Sequence, residues 1–335
     1  MIRKSIGIMI ACLLLVCLVI VFAVSNRIEK QKKYTGPIEK ITLAAAEYLI
    51  GTPVYIAEEQ GFFEKNGLEV TIKGYKSGKA AADALIAGES DISTSADNVF
   101  VHNSFEHEGL RVIGTIANAQ MKELLARKDK GFTTINDLKG KKLGVTKKSG
   151  AAFQLGVFLT LNYLSYQDME IVDLRPPEIV KAVINGDIDA AFTWDPYAYL
   201  IKKKLGDNVI RWPGGEDFYF LIIAKDDWIK NSPAAVERFI KSVLEAEAYI
   251  KENPESAKEF ARKRFAYESD YIDYSWPTQR FVVTLDQAML ILFEDQARWA
   301  IENKLTDKRK VPNYLNYIYI DALKELKPEA VTLIH

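Results

Sequence analysis

The sequence predicts an α/β protein built from two similar lobes. Three features predict it: strands and helices alternate in the order βαβαβ over residues 41–94, the same order returns over residues 142–193, and the chain from Pro233 onward is mainly helical. In the first stretch Ile41–Ala46 is a short apolar strand. Thr52-Pro53 is the N-cap and first residue of a helix through Gln60, stopped at Gly61. Leu68–Ile72 is a strand, Ser77-Gly78 opens a helix through Ala87 that Gly88 ends, and Asp91–Thr94 is a third strand. In the second stretch Lys142–Thr146, Glu170–Leu174 and Ile188–Thr193 are strands. Ser149-Gly150 opens a helix through Tyr163, and Pro176-Pro177 opens one to Asn185 that Gly186 stops.

The tightest internal match sets Ala84–Asp91 against Ala182–Asp189: an apolar helix end, a glycine, an acid, and an aspartate entering a strand. Two such halves imply two open sheets with helix N-termini at their carboxyl edges, where ligands of α/β sheets bind. Met121–Lys128 and Tyr219–Lys225 read as strands flanking the second half. The division expected is therefore 1–37 as an N-terminal segment and linker, 38–125 with 220–335 as the first lobe, and 126–219 as an inserted second lobe. Helices expected over Pro233–Glu252, Pro254–Phe265, Leu285–Asn303 and Tyr317–Leu326 would pack on the first lobe.

Composition narrows the functional classes. The chain has 335 residues, 48% of them hydrophobic and 27% charged, enough for two domains. Lys+Arg (44) and Asp+Glu (45) cancel to a net charge of −1, so nothing points to nucleic acid as a partner. Cys12 and Cys17 both fall in the N-terminal apolar run. The body has no cysteine for a disulfide framework, a thiolate nucleophile or a thiolate zinc site. His102 and His107 are five apart, the wrong spacing for one helical face, and His335 stands alone, so no metal site and no cofactor are expected.

Ile6–Val24 is uncharged and as a helix would reach roughly 28 Å, about one bilayer core. It reads either as a secretory signal, with Ala23-Val24-Ser25 before Asn26 as a cleavage site, or as an uncleaved membrane anchor, which its length favours. Ala11-Cys12 lies too early in the run for a lipoprotein site. Both readings place the body on the extracytoplasmic side.

Several segments together resemble the periplasmic solute-binding proteins of the nitrate/sulfonate/taurine ABC-importer type, which share a fold with thiamine-precursor-binding proteins. They are Ala57–Val70 (AEEQGFFEKNGLEV), Asp137–Val145 (DLKGKKLGV), Ala190–Tyr197 (AAFTWDPY), Arg298–Asn303 (RWAIEN) and the ending Lys327–Thr332 (KPEAVT). The resemblance spans residues 39–335. It implies a two-lobed type II periplasmic-binding-protein fold, no catalysis, a monomer that closes on a small-molecule ligand, and an ABC permease with its ATPase as partners. The rival readings are a membrane-anchored ligand-sensing receptor and an enzyme of the same fold in cofactor biosynthesis. The thiamine-pathway enzymes of that fold carry a cysteine-rich motif that this body lacks.

Candidate ligand residues follow from the strand-to-helix junctions. Ser77-Gly78, the Ser95-Ala96-Asp97 turn and Ser149-Gly150 each offer a hydroxyl and a helix N-terminus to an anion, although such serines commonly cap their own helices. Trp194 at a strand end can stack on a planar ligand or pack into a core. Asp195 with Pro196 reads as an N-cap and first helical residue. Glu47, Tyr48 and Thr52 fill the first strand-to-helix loop. Glu47, Asp97 and Asp195 sit poorly with a bare anion and admit a zwitterion such as taurine, while Lys147 and Lys148 supply positive charge.

Overall fold

The computed structural model describes residues 34–147, 149–215 and 217–334. The run Ile6–Val24 with Cys12 and Cys17, together with Lys148 and His335, lies outside the described residues. Among the described residues no helix is long and apolar enough to cross a membrane, and no His/Cys/Asp/Glu group could hold a metal ion.

Eleven strands among the described residues make two sheets. They are β1 Glu39–Ala46, β2 Leu68–Tyr75, β3 Ile92–Ala96, β4 Leu110–Ala119, β5 Lys122–Arg127, β6 Lys142–Val145, β7 Glu170–Asp173, β8 Ala190–Trp194, β9 Val209–Pro213, β10 Phe218–Lys225 and β11 Gln279–Arg280. The first sheet has the order β11-β4-β10-β3-β1-β2 and the second β7-β6-β8-β5-β9. The whole of β5 stands in the second sheet, so the passage between sheets falls at 120–121, ahead of residue 126, and the chain is back in the first sheet at Phe218.

The βαβ units give parallel pairs, β1 with β2 and β3, β6 with β7 and β8. The sheets are mixed, for a topological reason. The strand that arrives from the other sheet enters at the carboxyl edge and must run back down. Thus β5 is antiparallel to β8 and β9, and β10 to β3 and β4. β4, an almost continuous apolar run, was not expected from the sequence. It is buried on both faces and so has no two-residue alternation to betray it.

The repeated motif builds the same joint twice. Gly88 and Gly186 are the C-caps of helices Gly78–Ala87 and Pro176–Asn185, both at φ 80°, a left-handed conformation that glycine adopts without a Cβ clash. Asp91 and Asp189 then exchange paired hydrogen bonds with a neighbouring strand. The Asp91 N–H donates to the Thr42 carbonyl while its carboxylate accepts from the Thr42 N–H at 2.7 Å. Asp189 does the same with Lys142, its carboxylate accepting at 2.9 Å. Gly88→Ala and Gly186→Ala are each expected to cost about 1–2 kcal/mol in urea unfolding. No loss at either would show that the chain turns there without the left-handed residue.

The first sheet shares one large core with the C-terminal helices, in which Phe100, Phe239, Phe293 and Tyr314 are fully buried. Helix Pro233–Glu252 packs on helix Thr52–Glu59, and helix Gln287–Glu302 on helix Asp97–Ser104. The helix expected over Tyr317–Leu326 is shorter, Asp321–Leu326. Ile318 bridges Val112 and the Tyr319 N–H donates to the Val112 carbonyl, which holds the chain extended along β4. The second sheet has a core on each face: Leu124, Phe158 and Phe192 on one, Leu125, Ile179 and Val183 on the other.

Candidate functional site

The carboxyl edges of the two sheets face each other because only residues 120–121 separate the end of β4 from the start of β5. Three helix starts converge there. Gly78 is buried, and a Cβ on it would stand 3.1 Å from the Ser95 hydroxyl oxygen. Gly150, from the second sheet, is also buried, and its Cβ would stand 3.1 Å from Asn98 Cγ. Glycine is what allows the helix of one lobe to touch the helix of the other.

The serines at these starts serve their own helices. Ser77 Oγ accepts the Ala80 N–H at 3.1 Å. Ser149 Oγ accepts from Ala151 at 3.2 Å and Ala152 at 3.4 Å, and donates to the Thr146 carbonyl. Ser95 is fully buried and donates to the Gly78 carbonyl at 2.9 Å. Ser95-Ala96 belongs to β3 and Asp97 is already helical, so no turn separates them. Asp97 is buried and works as a joint. Its carboxylate accepts the Tyr219 N–H at 2.8 Å and the Asn98 N–H at 2.5 Å, with Gln296 and Lys122 beside it. Burial still raises its pKa against all four partners.

Thr52 is not the expected N-cap. Gly51 caps, Thr52 is the first helical residue, and its buried hydroxyl donates to the Leu49 carbonyl at 2.6 Å because a 3-10 turn at Leu49–Gly51 precedes the helix. The Glu47 carboxylate is paired with Arg264 at 3.2 Å. Tyr48 remains open to solvent. Its hydroxyl donates to the Lys76 carbonyl at 2.6 Å, and burial, then the neighbouring Tyr197 of the second lobe, raises its phenol. Trp194 is half-buried, packs on the second core and meets Tyr197 edge-to-face at 6.0 Å. Trp194 and Tyr197 thus pair on the second lobe, with Tyr48 of the first lobe near enough to Tyr197 for its phenol to be influenced. Lys147 is exposed.

Asp195 departs from expectation. The Asp195–Pro196 peptide is cis, Pro196 takes the cap position and the helix begins at Tyr197. Asp195 is 5% exposed; its Oδ2 accepts from Ser275 Oγ at 3.2 Å, and its Oδ1 has no hydrogen-bond partner among the described residues. Burial, then the Glu123 charge, pushes its pKa up to about 7.

The sequence reading missed the groups that join the lobes. Asn98 meets Gly150. Arg211 clasps Glu123 through two hydrogen bonds, 2.6 and 3.0 Å, and Tyr274 donates to the same carboxylate at 2.5 Å. Lys203 bridges to Glu268 and Asp270, the latter at 2.9 Å, and Tyr199 packs on Tyr271 and Tyr274. Gln154 is 2% exposed, with neither carboxamide atom hydrogen-bonded among the described residues. The one sequence signal available was the density of aromatics from Tyr267 to Trp276.

Comparison with known proteins fits this geometry. The taurine-binding periplasmic protein of Escherichia coli is 24% identical over 221 residues, 65% of this chain and 69% of that protein. The periplasmic aliphatic sulphonate binding protein SsuA of Escherichia coli superposes with a TM-score of 0.73 at 18% identity, over 84% of this chain and 92% of that one. The desulfurization enzyme DSZB superposes with a TM-score of 0.61 at 15% identity, over 87% and 99%. The two-sheet architecture is therefore the periplasmic-binding-protein fold, which binding proteins and an enzyme share. The profile of the NMT1/THI5-like family matches residues 51–257, well over half the chain, and the protein belongs to that family.

Proposed function

We propose that this chain is the extracytoplasmic ligand-binding component of an ABC importer, closing two lobes on a small molecule with a sulfonate-like anionic end. The observation that carries the reading is the contact of Gly150 with Asn98, which sets two helix N-termini from different sheets against each other. The Ser149 hydroxyl is committed as both donor and acceptor, whereas Ser77 only accepts, so the N–H groups of Gly78 and Gly150 together with the Ser77 O–H are the donors offered to the anion. Two of the three carboxylates that argued for a zwitterion are answered within the protein, Glu47 by Arg264 and Asp97 by Tyr219 and Asn98, and Asp195 is buried with Ser275 donating to it. Tyr48 and Trp194 wall the ligand's organic part. The two sheets with their helices move as the two lobes about the connections that follow β4 and β9. Ile6–Val24 tethers or exports them, and a permease with its ATPase receives the ligand.

The enzyme reading is weaker because the body carries no cysteine, the residue a thiol-based member of this fold would need. A thermal-shift screen with taurine, short alkanesulfonates, nitrate, bicarbonate and an aminopyrimidine tests the proposal. A sulfonate at a hundred times its Kd is expected to stabilise the native state by about 2.7 kcal/mol and raise Tm. A shift from the aminopyrimidine alone would replace the anionic reading.

A further inference from the structure

At the amino end of β5 stands Glu123, opposite Thr193 at the carboxyl end of the antiparallel β8, with Asp195 just past that strand, and the segment Tyr267–Trp276 covers the two carboxyl groups. That segment follows the first lobe's helices and leads into β11 of the first sheet. Every contact it makes with Asp195 or Glu123 therefore joins the lobes. Ser275 reaches Asp195, Tyr274 reaches Glu123, and Tyr267 and Tyr271 stand close enough for their phenols to feel the Asp195 charge. From β9, Arg211 is committed to Glu123 with both of its carboxylate oxygens. From the helix after Asp195, Tyr199 packs on Tyr271 and Tyr274, Lys202 lies over the Tyr274 ring, and Lys203 pairs with Glu268 and Asp270.

Asp195 is thus a buried carboxyl next to a second carboxyl that Arg211 already matches; Ser275 donates to its Oδ2, and the Tyr199 N–H lies near without a well-formed hydrogen bond to its Oδ1. A buried carboxylate oxygen without a partner is costly when ionised, and the cost disappears when it carries a proton. We propose that Asp195 is a proton-operated latch between the lobes: protonated, it is held buried under the Tyr267–Trp276 segment in the closed form, and on ionisation its buried charge is drawn to the water that only parting of the lobes admits. This rests on the two-lobe reading above.

The sign follows from linkage. The closed form holds Asp195 at about 7, against 3.8 for an ordinary aspartate that opening would hydrate, so closing takes up a proton. Closure is strongest below the lower value, weakens by about tenfold per pH unit between the two, and is level above the upper one. The phenols do not titrate in this window, since burial raises Tyr267, Tyr271 and Tyr274.

The test is energy transfer between dyes on Lys79→Cys and Lys181→Cys, both exposed and one on each lobe, in the full chain with Cys12→Ser and Cys17→Ser. Transfer is expected to change from pH 5 to pH 8 in the otherwise native protein. It should stay at its pH 5 level in Asp195→Asn, which is neutral throughout. Should that variant not fold, Ser275→Ala serves instead and is expected to show the open value already at pH 5. Transfer that is flat with pH, or that changes equally in Asp195→Asn, overturns the latch. If it is flat with pH yet responds to the sulfonate found by thermal shift, the lobes move and only the latch fails. If it is flat under both, the two-lobe reading fails too.

Discussion

Gly150→Leu is expected to weaken ligand binding by roughly ten- to a hundredfold while the protein still folds. The magnitude is that of forcing extra methylenes into a packed contact, about 1–3 kcal/mol. The penalty falls on closure alone. The first Cβ atom already stands 3.1–3.4 Å from Asn98 Cγ, Oδ1 and Cβ, and Asn98 belongs to the other lobe. In the open protein the leucine meets solvent, and at the first turn of helix Gly150–Leu161 it is no worse a helix former than glycine. Calorimetry with the sulfonate that shifts the native protein checks this, and Asn98→Ala added to Gly150→Leu should return part of the loss. Unchanged affinity in Gly150→Leu would mean that the ligand is held without this contact.

Asp97→Ala is expected to have the largest effect on stability, about 3–5 kcal/mol, the range for removing one partner from a buried charged group. Asp97 joins three elements: β3, which it follows, β10 through the Tyr219 N–H, and helix Gln287–Glu302 through Gln296. Its removal bares the Tyr219 N–H in the interior and takes the opposing charge from Lys122. Burial raises the Asp97 pKa, so truncation also relieves a desolvation penalty and the bared groups set the net cost. A fall in the urea midpoint at unchanged slope is the expected signature. A loss under about 1 kcal/mol, the worth of one ordinary hydrogen bond, would show that β10 is held to β3 by its ladder alone.

The legible part of the candidate site was the set of junctions, not the contacts. Ser77 and Ser149 were recognisable as helix starts from their neighbours alone, and both are caps. Their hydroxyls, read either as ligand contacts or as caps, do cap, because capping is satisfied within three residues; the cap bond uses only the acceptor side of Ser77. Glu47 and Asp97 looked like unanswered charge because Arg264 and Tyr219 are far off in sequence. Asp195 looked like a cap because Asp-Pro commonly is one; Pro196 takes the cap position instead, the helix starts at Tyr197, and the Asp195 carboxyl accepts from Ser275, far off in sequence.

The sequence by itself determined what depends on near neighbours. Period-2 and period-3.6 runs, the stops at Gly88 and Gly186, and the aspartates Asp91 and Asp189 specify two βαβαβ units, because each signal acts within a few residues of the backbone it shapes. Only the tertiary structure decided that the two edges face one another, that β5 and β10 run antiparallel to their neighbours, and that Asn98 meets Gly150. It also decided that Glu123 finds Arg211 and Tyr274. Those outcomes follow from where a short connection at residues 120–121 lets two sheets pack, and contacts between groups that distant in the chain leave no periodicity in the sequence to read.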